Sequence, residues 1–362
     1  MLKKLQAKQY VTYFFTLFII FILYHSIVWI FYSSKIFGRT DHLYIGDLGR
    51  TSYQLESLYP RKLEYTLEKK HIGEQDWHHQ NIDVLTIGDS FSNADTGGLN
   101  PYYQDFLATK YNLNILNLKR DSKTIKMFDF IVYLYNSGIL KKLHPKAIII
   151  ESVERFVYDR FAKKINFQYN DFNISSLNSI AEKTKEHDSF IPSLLLINTA
   201  NYKLPYYTFM YHFKYNAHKS IPRLKLSKTV FSNLEYGKKL LITYEDIQGI
   251  KNDSDKVIQI NDNFNILARM LKTLNIKLFF MPAPDRYDLY YNFIKNSPYQ
   301  KNQFFDLIRP LEKEYIFIDT KAILQKAINS NILDIYYPDD AHWTFKASNL
   351  IAKNKVFYEN FK

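Results

Sequence analysis

The sequence predicts an α/β protein: a three-layer α/β/α sandwich around a central parallel sheet, preceded by one N-terminal transmembrane helix. Three observations carry this. An uncharged apolar stretch occupies residues 11–32. From residue 81, short apolar runs of strand length alternate with helix-length segments. Those runs are continuous rather than alternating in polarity, as suits strands covered on both faces.

Residues 11–32, VTYFFTLFIIFILYHSIVWIFY, bear no formal charge. At about 1.5 Å per residue they span roughly 33 Å, enough for a bilayer core. Tyr and Trp lie toward the ends, and Lys3, Lys4 and Lys8 precede the stretch. The positive-inside rule then sets the N-terminus in the cytoplasm and the remainder outside. The stretch exceeds the apolar region of a signal peptide, and no Ala-x-Ala site follows it. Residues 1–33 are therefore expected to be a cytoplasmic tip and uncleaved anchor in the inner (cytoplasmic) membrane, with a periplasmic or otherwise external domain beyond. Residues 34–80 are polar and mixed and read as an extracytoplasmic connector. Within it, His78 and His79 have no carboxylates at a metal-ligand spacing.

Residues 81–362 form the expected domain. Asp83–Ile87 is a strand stopped by Gly88. A helix follows over about 101–110, with Pro101 suited to its first turn, then a strand near 114–118 and a helix across about 125–140. Pro145 introduces the strand 146–151. Residues 161–245, rich in Asn, Ser, Lys and Tyr, break the rhythm and read as an insertion or cap. The rhythm resumes with a helix at 256–273, the strand Ile276–Met281 and a proline-rich loop from Pro282 to Tyr287. A helix near 302–312, the strand Tyr315–Asp319, a helix near 320–328 and a last helix at 346–359 complete the series.

The 362 residues are 46% hydrophobic, ample for a core. A net charge of +12 is spread along the chain without a dense basic cluster or a nucleic-acid motif, and fits solubility near an anionic cell surface. The absence of cysteine excludes disulfides, thiolate–zinc sites and a cysteine nucleophile.

The chemistry concentrates at two loops. In NIDVLTIGDSFSN, Gly88 lets the backbone turn at the end of a buried strand, so that Ser90 stands at the carboxyl edge of the sheet. A serine hydroxyl needs a base, and the base a carboxylate to orient it. In YYPDDAHWTFKASN, Asp340 and His342 sit two apart, on the same side of an extended segment; Asp339, three before the histidine, is the rival orienter. The nucleophile elbow Gly-x-Ser-x-Gly is not met, because position 92 is Ser. Asp89 is a turn residue or a brace for the serine loop. Glu151 and Arg155 are candidates for a structural ion pair, and Trp343 for packing the histidine loop.

Gly88-Asp89-Ser90-Phe91 resembles the first block of the SGNH (GDSL-like) hydrolase superfamily, and Asp339/Asp340…His342 resembles its last. Asp340-Ala341-His342-Trp343 is similar to the Asp-x-His-Trp signature of the DHHW family and of periplasmic alginate O-acetyltransferase proteins. Pro145–Arg155 and Pro282–Tyr287 resemble segments of the same proteins. The resemblance covers about 81–160 and 250–360. It departs at the oxyanion-hole positions: Asn117–Ser122 contains no glycine, and Glu154-Arg155 stands in the usual asparagine region. The Ser90 amide is then one expected donor, with Arg155 or Asn93 as candidate helpers.

The resemblance implies an SGNH-like fold and a membrane-anchored O-acyltransferase, acetyl being the expected group. Ser90 would be acylated, His342 the base and Asp340 its orienter, with no cofactor and no metal. It further implies a polysaccharide acceptor at the cell envelope and a multi-pass membrane acyltransferase as partner, bringing acetyl groups across the membrane. A carbohydrate acetylesterase and a non-catalytic glycan-binding or assembly protein are the alternatives.

Overall fold

Apolar runs without a polar face must be covered on both sides, and the central strands of this chain are. In the computed structural model of the protein, residues 2–34, 45–53, 59, 64–93, 100–119, 127–168, 195–213 and 220–362 are described. The strands are β1 (Ile72–Gly73), β2 (Val84–Gly88), β3 (Ile115–Lys119), β4 (Ala147–Val153), β5 (Arg223–Lys225), β6 (Lys239–Leu241), β7 (Lys277–Ala283) and β8 (Ile316–Phe317). Six of them form one parallel sheet in the order β1-β3-β2-β4-β7-β8, and β5 and β6 pair antiparallel by themselves.

Because successive side chains point to opposite faces, each central strand feeds two cores. Leu85, Ile87, Leu116, Leu118, Ile148, Ile150, Leu278 and Phe280 pack into one. Val84, Ile115, Ala147, Ile149, Phe279 and Met281 pack into the other. Helices Met127–Asn136, Ser254–Lys272 and Phe304–Ile308 cover the first face. Tyr103–Tyr111, Thr320–Asn329, Phe345–Ala352 and Lys355–Phe361 cover the second. This is an α/β fold of three layers.

The sheet order positions the site. From β2 the chain moves outward to β3, then returns to lay β4 along the other edge of β2. The connections therefore diverge above the carboxyl ends of β2 and β4, where open α/β sheets leave a crevice.

Several boundaries differ from those expected. The helix expected over 125–140 is two, Met127–Asn136 and Ile139–Leu143, because Gly138 takes a left-handed conformation between them (φ 76°); residues 125 and 126 lie outside the described residues. The last helix is also two, since Asn354 starts Lys355–Phe361 by accepting from the Val356 N–H. β7 runs on through Pro282, and the proline-rich loop gives way to a helix at Arg286–Tyr290. The residues read as a connector contribute β1 and a short helix, α2 (Asp47–Thr51). Of the segment 161–245, the described parts hold β5, β6 and a helix, Ala200–His212. Ahead of all this, α1 (Leu2–Val28) closes in a wider turn at Trp29–Ser33, and Gln6–Ser33 is a 28-residue stretch long and apolar enough to cross a bilayer.

Candidate active site

Gly88 ends β2 where no other residue fits. A Cβ there would stand 2.2 Å from Ser92 Oγ and 2.4 Å from Glu151 Oε2. The next three residues turn into α3 (Ser90–Asn93). Asp89 points down into the domain: its carboxylate accepts from Arg160 and from the N–H groups of Val153 (2.8 Å) and Phe91 (3.2 Å). Burial opposes its charge, but Arg160 and these donors prevail and hold the Asp89 carboxyl below the usual carboxylate range. It braces the serine turn against β4. Glu151, also buried, accepts from Ser92 Oγ (2.8 Å) and the Asp89 N–H (3.1 Å). Burial and the nearby Asp89 charge push its pKa well up. With these partners beneath it, Ser90 is the residue of the turn that faces outward.

The second loop is stapled at its base. Tyr336 and Trp343 form an antiparallel bridge, and the Tyr337 N–H donates to the His342 carbonyl at 3.2 Å. Inside the loop lies Arg286, fully buried. Its Nη1 donates to the carbonyls of Tyr337 (2.6 Å) and Asp340, and Nη2 donates to that of Pro338 (3.2 Å). One guanidinium thereby satisfies three carbonyls of a loop too tight to satisfy them itself.

The two loops meet. Ser90 Oγ lies 2.6 Å from His342 Nε2, and Asp340 Oδ1 lies 2.6 Å from His342 Nδ1. Asp340 Oδ1 also accepts from the His342 backbone N–H at 3.0 Å, which locks carboxylate and ring together. Phe91 packs on the imidazole with centroids 4.7 Å apart, and Trp343 meets the other side of Phe91 edge-on at 4.8 Å. Asp339 turns elsewhere: its Oδ2 accepts from the Gly46 N–H (3.2 Å) and its carbonyl from the Gly49 N–H (2.9 Å). The rival orienter is bound to the segment around α2, not to the histidine.

Two other expected site residues are engaged away from Ser90. Arg155 Nη1 lies 2.5 Å from Asp285 Oδ1 and 3.4 Å from Asp246 Oδ1, so it pairs with these buried carboxylates rather than with Glu151. The Asn93 amide donates to the Gly88 carbonyl (3.3 Å), and its oxygen accepts from Asn117 Nδ2 (3.1 Å). The Arg155 charge nonetheless reaches His342, where it opposes protonation of the ring. The region of the expected glycine block continues into 120–122, outside the described residues.

Asp47 joins the relay from outside the two expected loops. Its Oδ1 accepts from the Ala341 N–H at 2.8 Å, and its own N–H donates to Asp340 Oδ2 at 3.3 Å. Burial and the adjacent Asp340 carboxylate push Asp47 up to about 6. The sequence signal is faint: an aspartate between two glycines, Gly46 and Gly49, in an otherwise polar connector. Asp47, Asp340 and His342 offer three ligand atoms within 4.8 Å of one another. Asp340 faces His342 Nδ1, so a cation held there would take Nδ1 and leave the ring proton on Nε2, which could then no longer accept from Ser90.

Beside Ser90 and His342 opens a small pocket whose wall includes Tyr102, Tyr337, Trp343 and Phe345, with room for about one or two water-sized groups. Burial alone would disfavour the charged imidazole, but Asp340 and then Asp47 outweigh it and raise the pKa of His342 above its ordinary 6.5. A base must be neutral to accept a proton. Any reaction in which His342 deprotonates Ser90 is therefore expected to slow as pH falls through a value above 6.5. The pH profile of Ser90 acylation by an ester donor measures this; an inflection at or below the ordinary histidine value would contradict the electrostatics.

No protein-family model matches the sequence, and no curated protein matches it either. Among solved structures, the chain is similar to one described as "a putative GDSL-like lipase" from Parabacteroides merdae ATCC 43184. The two are 13% identical with a TM-score of 0.34, and the match covers 82% of this chain and 97% of that one.

Proposed function

We propose that the protein is a membrane-anchored serine acyltransferase that places a small acyl group, acetyl, on hydroxyls of an extracytoplasmic polysaccharide. The observation that carries the reading is the continuous relay Ser90 Oγ–His342–Asp340, with both contacts at 2.6 Å, at the mouth of a small pocket. His342 Nε2 takes the hydroxyl proton as Ser90 Oγ attacks the carbonyl carbon of the donor ester. The tetrahedral oxyanion collapses, the donor alcohol leaves with the proton from His342, and an acyl ester remains on Ser90. A sugar hydroxyl then attacks that ester, gives its proton to His342, and the Ser90 oxygen leaves and is reprotonated.

The Ser90 backbone N–H, at the head of α3, has no acceptor among the described residues and is the natural donor to the oxyanion. The size of the pocket favours a short acyl chain. Its aromatic wall suits the apolar faces of sugar rings. The lysines in the first turns of α1, ahead of its apolar stretch, favour a cytoplasmic N-terminus and an external domain. A multi-pass membrane protein delivering acetyl groups is the partner this arrangement calls for.

The test uses the full chain in detergent with an activated acetyl ester and an oligosaccharide acceptor, read by mass spectrometry. An acetyl adduct on Ser90 and acetylated glycan are expected. Ser90→Ala should lose the adduct and about four to six orders of magnitude in turnover. Free acetate alone, with the acceptor unmodified, replaces transfer with esterase activity. Wild-type turnover in Ser90→Ala refutes serine chemistry altogether.

A further inference from the structure

Building on the membrane anchor in the proposal above, we infer that the helix α4 (Ala200–His212) and the residues leading into it are a second membrane-contacting element. It lies in the interface of the outer leaflet beside α1, its partner being the lipid itself.

Two independent observations lead there. The first is a largely buried polar joint between the two helices. Tyr24 donates to the Asn201 carbonyl at 2.7 Å, Ser33 Oγ donates to Asn201 Oδ1 at 2.6 Å, and Asn201 Nδ2 meets His25 Nδ1 at 2.7 Å. His25 Nε2 lies 2.8 Å from the Tyr202 hydroxyl. His25, Ser33 and Asn201 are fully buried. Polar groups in hydrocarbon have no water to turn to and must find partners inside the protein. His25 and Ser33 interrupt the apolar span, and Asn201 satisfies both.

The second observation is the surface that α4 leaves uncovered. Leu195, Tyr202, Tyr206, Phe209 and Phe213 are each more than half exposed, and the adjoining end of α1 exposes Ile27, Ile30 and Phe31 to the same degree. Such a surface on a water-soluble face would be an aggregation liability. Next to a bilayer-spanning helix it continues the lipid-facing surface. The 13 residues of α4 reach only about 20 Å, too short to cross, and contain no acidic residue. The four tyrosines of α4, with Lys203, are residues suited to the bilayer interface.

The consequence reaches the relay. Tyr207 stacks on Tyr53 (5.3 Å), and Tyr211 donates to the Ser52 carbonyl at 2.7 Å. These join α4 to the end of the α2 segment, whose Gly46, Asp47 and Gly49 grip the loop that carries His342. The bilayer surface thereby sets the orientation of the site as well as its location.

The chain has no cysteine, so single-cysteine variants of the full protein carry one spin label each. In lipid nanodiscs, labels at Phe209→Cys and Tyr206→Cys are expected to collide with dissolved oxygen more than with a water-soluble nickel chelate. The ratio should be several-fold higher than at Tyr358→Cys, half-exposed in the helix Lys355–Phe361 that packs on β7. Phe18→Cys in α1 reports on the anchor separately. Lipid contact at Phe18→Cys with aqueous values at Phe209→Cys and Tyr206→Cys overturns the interfacial helix and leaves the anchor standing. Aqueous values at all three overturn both. Protection of Phe209→Cys and Tyr206→Cys from both reagents means a protein partner covers α4, and also refutes lipid contact.

Discussion

Asp340→Asn is expected to lower the rate of Ser90 acylation by about four orders of magnitude, whereas Asp339→Asn costs roughly tenfold or less. The asymmetry follows from where the two adjacent carboxylates point. Asp340 Oδ1 takes two donors at once, the His342 ring at 2.6 Å and the His342 backbone N–H at 3.0 Å. An amide in its place keeps the shape and can present its oxygen to the same two donors, but the negative charge is gone. The imidazolium formed when His342 takes the Ser90 proton across 2.6 Å then lacks its counter-charge. The geometry survives and the base is weakened. Asp339→Asn, by contrast, still presents an oxygen to the Gly46 N–H. The pH profile gives a second readout. After burial, which opposes it, the Asp340 charge is the largest influence on His342 and the one that raises its pKa. Asp340→Asn should therefore shift any residual inflection downward, while Asp339→Asn leaves it in place. Equal losses from the two substitutions, or an unmoved inflection in Asp340→Asn, would show that the orienting carboxylate has been misassigned.

What the sequence made legible divides along physical lines. Val84–Gly88 and Ala147–Val153 could be read because a strand covered on both faces admits almost nothing but apolar residues. Ser90 and His342 could be read because a hydroxyl beyond a strand-ending glycine and an Asp-x-His pair are short-range patterns. That β2 and β4 lie side by side, so that the first loop meets the second, is a property of the sheet order and leaves no mark on either loop. Arg155 is expected near the serine because Glu154-Arg155 stands where the resemblance puts the asparagine region. The structure turns it toward Asp246 and Asp285, residues distant in sequence whose buried charges demand a cation. Arg286 binds carbonyl oxygens, which every residue carries, so no side-chain pattern announces its targets. Asp47 is the hardest case: it reaches Asp340 across 293 residues, from a segment whose composition suggests only a connector.

That segment gives the second large effect. Gly46→Ala is expected to reduce turnover about a hundredfold, the scale of a misplacement near 1 Å in a reacting group. A Cβ on Gly46 would stand 2.2 Å from the carbonyl oxygen of Asp339 and 2.7 Å from Cβ of Asp340. The nearest obstacle is backbone, and it belongs to a loop already fixed by Arg286 and by the Tyr336–Trp343 bridge. Neither side can yield without moving Asp340. The neighbouring Gly49→Ala is the internal control, because its nearest obstacle is a buried side chain outside the histidine loop, the Ile45 Cγ2 methyl at 2.6 Å, with Asp339 Cβ next at 3.4 Å; it costs stability without pressing on the loop backbone. It should keep most of the activity. Measuring kcat, the acylation burst and Tm for both variants separates displacement of the relay from simple loss of stability. Displacement predicts a lost burst in Gly46→Ala with a Tm fall no larger than in Gly49→Ala. A Gly46→Ala variant with a wild-type burst would mean that the segment around α2 merely lies against the histidine loop, and that the relay holds its geometry without it.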